Sequence, residues 1–431
     1  MRQTKKGEKV TISVVGAGNR ADVYLHQLQK YYQNDFIVNG VFDPDEKRQK
    51  FFQEKYKVKP EQCYNGIDDF IKLDRISDVV IIATLDNMHF IPAMHALDKG
   101  YDIILEKPIA MNLEETVLIG AEAEKKPNQL VAVCHVLRHS PFFRTIKEVI
   151  DSKELGEVVN IQHNENVGYF HYAHSYVRGN WRNTNISSPF IVAKACHDFD
   201  ILLYLLGKSS IRLSSMGDLT FFHKGNFDEE TMTKRDTDNP SFDSNPYSAV
   251  NIYSGDLIKS VVFNKDSEEK FKKELETSQY GKNVFASDNN VADTQVTIME
   301  FEDKKFATFN LSAFTNLNHR SIKVMCTYGE IRGSEATGEV QIWPFGKAPR
   351  TVIPKKLDSG HGGADAGFMI NFMETYLNGK EFDSTISKSI ESHVMAYAAE
   401  ESRINKGQMI ETKEYYQAIL DKARKEYKEW R

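Results

Sequence analysis

Short apolar runs alternate with stretches of helical periodicity through residues 10–135, and few folds accommodate such an alternation. The run Val79–Ala83 is apolar at every position, as expected of a strand that is buried on both faces of a parallel sheet. Strand–helix alternation predicts right-handed βαβ units, and therefore an α/β, doubly wound parallel sheet of the Rossmann type. The predicted strands are Val10–Val15, Phe36–Phe42, Val79–Ala83, Asp102–Leu105 and Leu130–His135. The predicted helices are Asn19–Tyr32, Asp45–Lys57, Ile67–Leu73, Pro92–Lys99 and Leu113–Lys125.

The rest of the chain shows period-two runs with few helices between them, which predicts an α+β domain with a large, open, mostly antiparallel sheet. We therefore predict a nucleotide-binding domain over residues 1–136 and a substrate-binding and oligomerisation domain over residues 137–431. The predicted strands are Glu157–Val167, Ile211–Leu219, Ala249–Tyr253, Thr294–Phe301, Phe306–Phe314, Ile322–Thr327 and Val340–Trp343. The predicted helices are Ala195–Leu206, Ala366–Asn378, Ser389–Arg403 and Tyr415–Arg431. The polar stretches Lys224–Asn245 and Asn264–Asp288 are interpreted as surface excursions or lids.

Composition narrows the class of protein. A chain of 431 residues exceeds what one hydrophobic core usually supports, so two domains are expected. A net charge of −6, with both signs interspersed, argues against nucleic acid or an anionic membrane as the main partner. We expect neither a signal peptide nor a membrane span, because no apolar stretch is long enough for either. Four cysteines without a CxxC pair favour a reducing compartment, so a cytoplasmic location is expected.

A glycine turn, Gly16–Ala21, directly follows the first predicted strand and opens a helix, which is the context of a dinucleotide-binding fingerprint. Gly16 would permit the tight turn, and Gly18 would let the backbone approach a pyrophosphate. The second strand ends at Asp43, where a carboxylate would bind the adenosine ribose and repel a 2′-phosphate, which favours NAD. Asp43 could instead simply begin a turn, and Arg20 and Arg48 keep NADP open.

Further motifs come at positions where parallel strands end and ligands bind. Thr84–His89 follows the third strand and Glu106–Pro108 (Glu-Lys-Pro) follows the fourth, while Arg178–Arg182 precedes Lys194–Asp200 (Lys-Ala-Cys-His-Asp-Phe-Asp). Together with His361–Asp365, these motifs resemble the glucose–fructose oxidoreductase/inositol dehydrogenase (Gfo/Idh/MocA) family over most of the chain. The Glu-Lys-Pro motif and the Lys-x-x-His-Asp motif are the most specific part of the resemblance.

The resemblance implies a role for two residues in particular. Lys107 would bridge cofactor and substrate, and His197 would exchange the proton of the substrate hydroxyl. Many family dehydrogenases carry an aspartate four residues before the histidine, where this chain has Ala193, so Lys194 or Asp198 is the expected substitute. The family also implies a homodimer or homotetramer formed through the open sheet. The cofactor-binding residues expected on these grounds are Gly16, Gly18, Asn19, Arg20, Asp43, Thr84, His89, Glu106 and Lys107.

The residues themselves suit this chemistry. A histidine can take a hydroxyl proton, and a nearby ammonium can stabilise the developing alkoxide. Lys194 and His197 are three residues apart on a predicted helix, so both face one pocket. Without the resemblance, Lys107 could equally be a solvated loop lysine and His197 a structural histidine.

Several other residues are candidates for binding substrate. Arg178, Trp181 and Arg182 form a polar neighbourhood around an aromatic ring, and His361 lies on a glycine-rich loop. The sugar-stacking or hydrogen-bonding candidates are Tyr169, His171, Tyr172 and His174. No metal site is predicted, because no carboxylate or cysteine completes a ligand set around these histidines.

The leading hypothesis is an NAD-dependent dehydrogenase acting on a secondary hydroxyl of a small-molecule carbohydrate, carbohydrate derivative or polyol. Two alternatives remain open from the sequence. One is a redox glycosidase that oxidises a ring hydroxyl transiently and returns the hydride. The other is a non-catalytic protein that senses NAD and a sugar, because a fold alone does not dictate chemistry.

Overall fold

The structure is a computed structural model that describes residues 8–238, 244–255, 258, 267–355 and 357–427. These residues form two sheets, one of six strands and one of nine, each flanked by helices. No helix within the described ranges combines the length and apolar character needed to cross a membrane.

The first sheet has the order β3-β2-β1-β4-β5-β6, and all its strands run parallel. Its strands are β1 (Val10–Val15), β2 (Phe36–Phe42), β3 (Cys63–Tyr64), β4 (Val79–Ile82), β5 (Asp102–Leu105) and β6 (Val131–Val133). Its helices are α1 (Asn19–Tyr32), α2 (Glu46–Tyr56), α3 (Ile67–Lys72), α4 (Phe90–Asp98) and α5 (Leu113–Glu124). Every residue of β4 and β5 is buried, which is why these strands are apolar at every position except Asp102. The predicted Rossmann fold is confirmed; only β3, too short to show a period, was not predicted from the sequence.

The second sheet has the order β14-β13-β12-β11-β7-β10-β9-β8-β15. Its strands are β7 (Val158–Gly168), β8 (Ser210–Asp218), β9 (Thr294–Phe301), β10 (Lys305–Thr315), β11 (His319–Cys326), β12 (Gly329–Ser334), β13 (Glu339–Pro344), β14 (Arg350–Val352) and β15 (Ile410–Glu411). Neighbouring strands pair antiparallel, except that β7 and β10 run parallel at the centre. The mostly antiparallel second sheet is thus also confirmed.

The helices that follow β6 in the chain cover both sheets. They are α6 (Pro141–Asp151), α7 (Tyr169–Tyr172), α8 (Phe190–Leu206), α9 (Ala249–Ser254), α10 (Glu268–Thr277), α11 (Ala364–Asn378), α12 (Ile386–Ile404) and α13 (Thr412–Glu426). Helix α12 packs on α8 and β8. Helix α11 instead packs on α1 and joins the apolar core of the first sheet, where Phe368 and Phe372 are fully buried. The chain therefore returns to the nucleotide-binding lobe after the second sheet is almost complete.

Two sequence-based interpretations need correction. The predicted strand Ala249–Tyr253 is wrong, because Ala249, Ile252 and Tyr253 are the buried residues of α9 and follow helical spacing rather than period two. The polar stretches are not simply surface excursions either: Asp236 and Phe285 are buried, and α10 lies in the second stretch. Residues 239–243 and 264–266 of these stretches, and 428–431 of the predicted C-terminal helix, lie outside the described residues.

Candidate active site

The glycine turn between β1 and α1 leaves open space beside its backbone. Gly16 has a φ of +90°, and a Cβ there would lie 2.8 Å from backbone atoms of Ala83 and Thr84, so only glycine fits. A Cβ on Gly18 would meet nothing within 4 Å, and Gly18 supplies no side chain to cap α1. The Thr84 hydroxyl nearby is buried and has no hydrogen-bond partner among the described residues. An open helix N-terminus and an unpaired hydroxyl fit the dinucleotide that the sequence predicts.

Asp43 closes the glycine turn from the neighbouring strand. Its Oδ2 accepts a hydrogen bond of 2.8 Å from the Ala17 N–H, and the carboxylate is almost fully buried. Arg48 Nη1 lies 3.5 Å from the same oxygen. Asp43 therefore has a structural role, and it lies directly after β2, the position expected of a ribose-binding carboxylate.

Replacement of Gly18 by aspartate is expected to abolish NAD binding without unfolding the protein. Aspartate is among the best N-cap residues, so α1 should be as stable or more stable, while its carboxylate would repel the pyrophosphate. We expect the Kd for NAD, measured by calorimetry, to rise about 100-fold or more, which corresponds to about 3 kcal/mol.

Gly18→Asn is the matched control, because asparagine caps a helix equally well and carries no charge. Its affinity for NAD should fall much less. Unchanged NAD affinity in Gly18→Asp would show that no pyrophosphate binds at this turn.

Arg20, a predicted cofactor residue, instead connects distant parts of the chain. Its guanidinium donates to Glu106 Oε1 at 2.6 Å, to Asp365 Oδ1 at 2.8 Å and to Tyr24 Oη at 2.5 Å. Burial alone would raise the pKa of Glu106, but the Arg20 charge and the hydrogen bonds from Arg20 and Tyr24 lower it below its ordinary value. Glu106 is therefore an anion held in place, and its Oε2 accepts from the Lys107 N–H at 2.9 Å. Arg20 thus positions the Glu-Lys-Pro motif and ties it to α11.

Lys107 follows β5 of the first sheet, and its side chain reaches α8, the helix that carries His197. The Lys107 Nζ donates to the Ala193 carbonyl at 2.8 Å, one helical turn before His197. Burial, together with the nearby Lys107 ammonium, lowers the pKa of His197 well below its ordinary value. His197 is only 3% exposed, and its Nδ1 has no hydrogen-bond partner among the described residues. The arrangement provides a neutral imidazole, able to accept a proton, within the electrostatic reach of an ammonium.

A cavity of about 370 Å³ lies near His197, although neither His197 nor Lys107 is among the residues that line it. Its link to the pair is His361, a lining residue whose ring centroid lies 6.0 Å from that of His197. The predicted residues Lys194 and His361 line it. Two residues that sequence reasoning missed also line it: Glu165, 3.3 Å from the Lys194 ammonium, and Arg320, 2.9 Å from Glu165. Glu165 occupies an inward position of β7, as does His163, so polar residues at the inward positions of a predicted strand were the available signal. The wall of the cavity thus carries a charged network, in which Glu165 pairs with both Lys194 and Arg320.

Two residues predicted to bind substrate, Arg178 and Asp198, are fully buried and do not line the cavity. The Arg178 guanidinium pairs with Asp236 at 2.9 Å and donates to the Lys282 carbonyl at 2.6 Å, so it anchors the polar stretches. Asp198 accepts from Arg320 at 2.7 Å and bonds His163 at 2.8 Å, so it orients a residue of the cavity wall. The side chains of Arg178 and Asp198 are therefore assigned to structural contacts and not to the cavity wall.

The other predicted residues divide between the site and its surroundings. His89 is buried and bonded to the carbonyls of Pro108 and Thr84, at 2.8 and 3.2 Å, so it braces both loops rather than reaching outward. Asn19 is exposed at the start of α1. Trp181 packs against the core, and Arg182 pairs with Asp288 at 2.8 Å, away from the residues that line the cavity.

Of the aromatic and histidine candidates before α8, His171 lines the cavity and bonds Asn318 at 3.1 Å. Tyr172 is buried and donates to the Val291 carbonyl, and His174 stacks on Tyr280. Among the described residues no group of three or more histidine, cysteine or carboxylate side chains is placed to hold a metal ion.

Comparison with known proteins agrees with this architecture. The sequence profile described as "Oxidoreductase family, NAD-binding Rossmann fold" matches residues 10–135, and the profile of the family's C-terminal alpha/beta domain matches residues 147–411. The oxidoreductase YteT of Bacillus subtilis is 29% identical over 212 residues, 48% of this chain and 49% of that protein. An inositol 2-dehydrogenase of Corynebacterium glutamicum is 24% identical over 205 residues, 46% of this chain and 55% of that protein. The chain spans about half the length of the curated relatives it matches.

Solved structures share the fold over nearly the whole chain. An oxidoreductase from Agrobacterium radiobacter, crystallised with NAD⁺, L-tartaric acid and magnesium, has a TM-score of 0.68 at 16% identity, covering 94% of this chain and 98% of that one. An inositol dehydrogenase homologue from Azotobacter vinelandii, crystallised with NADH and myo-inositol, has a TM-score of 0.65 at 15% identity and the same coverage. Since the two profiles together match most of the sequence, the chain belongs to the Gfo/Idh/MocA family of oxidoreductases, with a NAD-binding Rossmann domain.

Proposed function

We propose that the protein is an NAD-dependent dehydrogenase acting on a secondary hydroxyl of a carbohydrate, carbohydrate derivative or polyol. The observation that carries the proposal is that the Lys107 ammonium and the His197 imidazole come together at α8, one histidine ring away from a cavity with charged side chains in its wall. The His197 Nδ1 is buried without a partner among the described residues, and perturbed titratable groups near a cavity are typical of active sites.

The roles of the two residues follow from their protonation states. A neutral His197 is able to accept the hydroxyl proton of the substrate as a general base. Burial lowers the pKa of Lys107 below that of an ordinary lysine, while the fixed Glu106 anion opposes this and helps the amine to stay protonated. The ammonium then stabilises the developing alkoxide. NAD, when bound, supplies the acceptor for the hydride of the carbinol carbon.

We further propose that NAD is preferred over NADP. The buried Asp43 carboxylate would repel a 2′-phosphate, and Arg48, which is half-exposed and already paired with Asp43 and Asp45, compensates only in part.

A polyhydroxylated substrate suits the cavity. Its wall presents Lys194, Glu165, Arg320 and His171, which offer both donors and acceptors to hydroxyl groups. Glu165 and Glu335 balance the charges of Lys194 and Arg320 in the wall, so no strong net charge is selected. The inositol 2-dehydrogenase activity that is named for one relative supports a polyol or sugar.

We also propose a homodimer or homotetramer through the outer face of the second sheet. Val296 and Ile298 on β9 and Phe306 on β10 are about half exposed on that face. Apolar side chains gathered on one open sheet are typical of a protein–protein interface.

The test is NADH formation by the purified protein, followed by absorbance, on a panel of sugars, sugar acids, polyols and aryl glycosides with NAD or NADP. We expect steady NADH accumulation with at least one carbohydrate and a higher kcat/KM with NAD. Release of the aglycone without net NADH would instead identify a redox glycosidase. Tight NAD binding with no turnover on the whole panel would favour a sensor.

A further inference from the structure

His361 adopts a backbone conformation that a histidine rarely takes. Its φ is +51°, and it is followed by Gly362 and Gly363 at +65° and +101°. A non-glycine residue in the left-handed region is strained, and such strain is concentrated at functional sites. Its side chain is about one-third exposed and lines the cavity beside α8.

Asp365 fixes the tautomer of His361. The His361 Nδ1 lies 3.2 Å and 3.3 Å from the two Asp365 carboxylate oxygens, and Asp365 is itself held by Arg20. Burial would raise the pKa of Asp365, but the hydrogen bond from His361 and the charge of Arg20 lower it, so the carboxylate only accepts. The hydrogen of a neutral His361 must therefore be on Nδ1, which leaves the lone pair on Nε2 free to take a proton.

His361 is also the exposed neighbour of the buried His197. The two ring centroids are 6.0 Å apart, a separation that direct contact or one bridging water spans. His197 is 3% exposed, whereas the His361 side chain is 35% exposed. A proton taken up by His197 thus has an oriented acceptor between itself and solvent.

We propose that His361, oriented by Asp365, is a proton-relay residue that transfers the substrate's hydroxyl proton from His197 to solvent. The inference rests on the proposed dehydrogenase function. In that reaction the substrate loses a hydride to NAD⁺ and a proton to His197, the His197 imidazolium passes the proton to His361 Nε2, and His361 releases it to water. His197 returns to its neutral form, ready for the next turnover.

The groups around both rings are consistent with this direction of transfer. His361 is faced by Asp365, Arg20 and Lys194, and burial outweighs Asp365 to keep its pKa below the ordinary value. His197 is faced by Lys107, His135, His361 and Arg320, which add to burial in lowering its pKa further. Both rings are therefore neutral at neutral pH, and the more deeply buried imidazolium is the less stable one.

The activity test uses His361→Asn, because asparagine tolerates the left-handed conformation and removes only the imidazole. In dilute buffer we expect kcat to fall about 10-fold or more, while KM and the Kd for NAD stay within about 2-fold. Added imidazole should restore kcat. Unchanged kcat in dilute buffer, or a loss that imidazole does not restore, would overturn the relay.

A second measurement does not depend on turnover and separates this inference from the proposed function. Histidine NMR of the cofactor-free protein follows the titration of each ring. His361→Asn should raise the pKa of His197, because the His361 charge lowers it, and Asp365→Asn should lower the pKa of His361. If none of the carbohydrates in the panel supports NAD reduction by the wild type, the proposed function fails. The titration still shows whether His197 and His361 interact. A His197 titration that His361→Asn leaves unmoved overturns the relay.

Discussion

Lys107→Met and His197→Asn are each expected to lower kcat by about 10²- to 10⁴-fold, while NAD still binds with nearly unchanged affinity. The methionine keeps the length and packing of the lysine side chain but removes the ammonium that contacts the Ala193 carbonyl. The asparagine removes the base while remaining polar in a buried site. The kcat and KM of each variant are measured on the carbohydrate that gives the most NADH in the screen. The Kd for NAD is measured by calorimetry.

Two matched variants control for structural damage. Lys126 Nζ donates to the Leu97 carbonyl at 2.7 Å, the same type of bond as that of Lys107, but away from the cavity, so Lys126→Met should keep full activity. His95 on α4 is partly buried and lies next to Phe70, and His95→Asn should also remain active. Wild-type turnover in both Lys107→Met and His197→Asn would end the assignment of these residues to catalysis.

The second large effect expected is a steep loss of stability in mild acid. Burial lowers the pKa of four almost completely buried histidines below the ordinary value: His135, His139, His197 and His393, the last to about 3. The folded protein keeps these rings neutral, whereas the unfolded chain protonates them below about pH 6.5. Because the unfolded state then binds more protons, stability falls as the pH falls.

Each such histidine contributes about 1.4 kcal/mol per pH unit once the pH is well below 6.5. Buried carboxyls with a raised pKa, such as Asp200 and Glu165, take up protons in the folded state and offset part of the loss. We therefore expect the free energy of unfolding in urea to fall by at least about 2 kcal/mol per pH unit between pH 6 and pH 5.

His139→Leu tests the origin of this slope. His139 lies between Phe368 and Phe382, and neither of its ring nitrogens has a partner among the described residues, so leucine should be accommodated. The variant should lose about 1.4 kcal/mol per pH unit of the acid dependence, whereas His26→Gln, at an exposed position of α1, should change nothing. If the free energy of unfolding fell equally steeply with pH in His139→Leu and in the wild type, the loss of stability in acid would arise from other groups.

The first sheet is predictable from sequence because each strand and helix leaves a local signal: apolar runs such as Val79–Ile82, and glycines where the backbone must turn. The motifs Glu106–Pro108 and Lys194–Asp200 are likewise contiguous in sequence. By contrast, the partners of charged residues are set by tertiary structure. Nothing local in the sequence pairs Arg178 with Asp236, or Arg320 with Glu165, because each pair joins segments far apart in the chain.

Long-range pairing also explains why the sequence predicted Arg20 to bind the cofactor, whereas the structure pairs it with Asp365. Its place at the start of α1 predicts a cofactor contact, but Asp365, encoded near the other end of the chain, engages its guanidinium. Short elements fail for a different reason: in α9, six residues hold too few apolar positions to distinguish a helical period from alternation.

Helix α11 has a consequence for synthesis on the ribosome. The apolar side of α1 and β1 is covered by Phe368, Met369 and Phe372, which are translated long after the strands they protect. An N-terminal domain normally folds first, using only its own residues. Here the apolar surface of α1 and β1 stays uncovered while the nascent chain is still emerging, and it must be kept away from other molecules. In this protein the apolar core of the N-terminal lobe is completed only after α11, which ends at Asn378, has left the ribosomal exit tunnel.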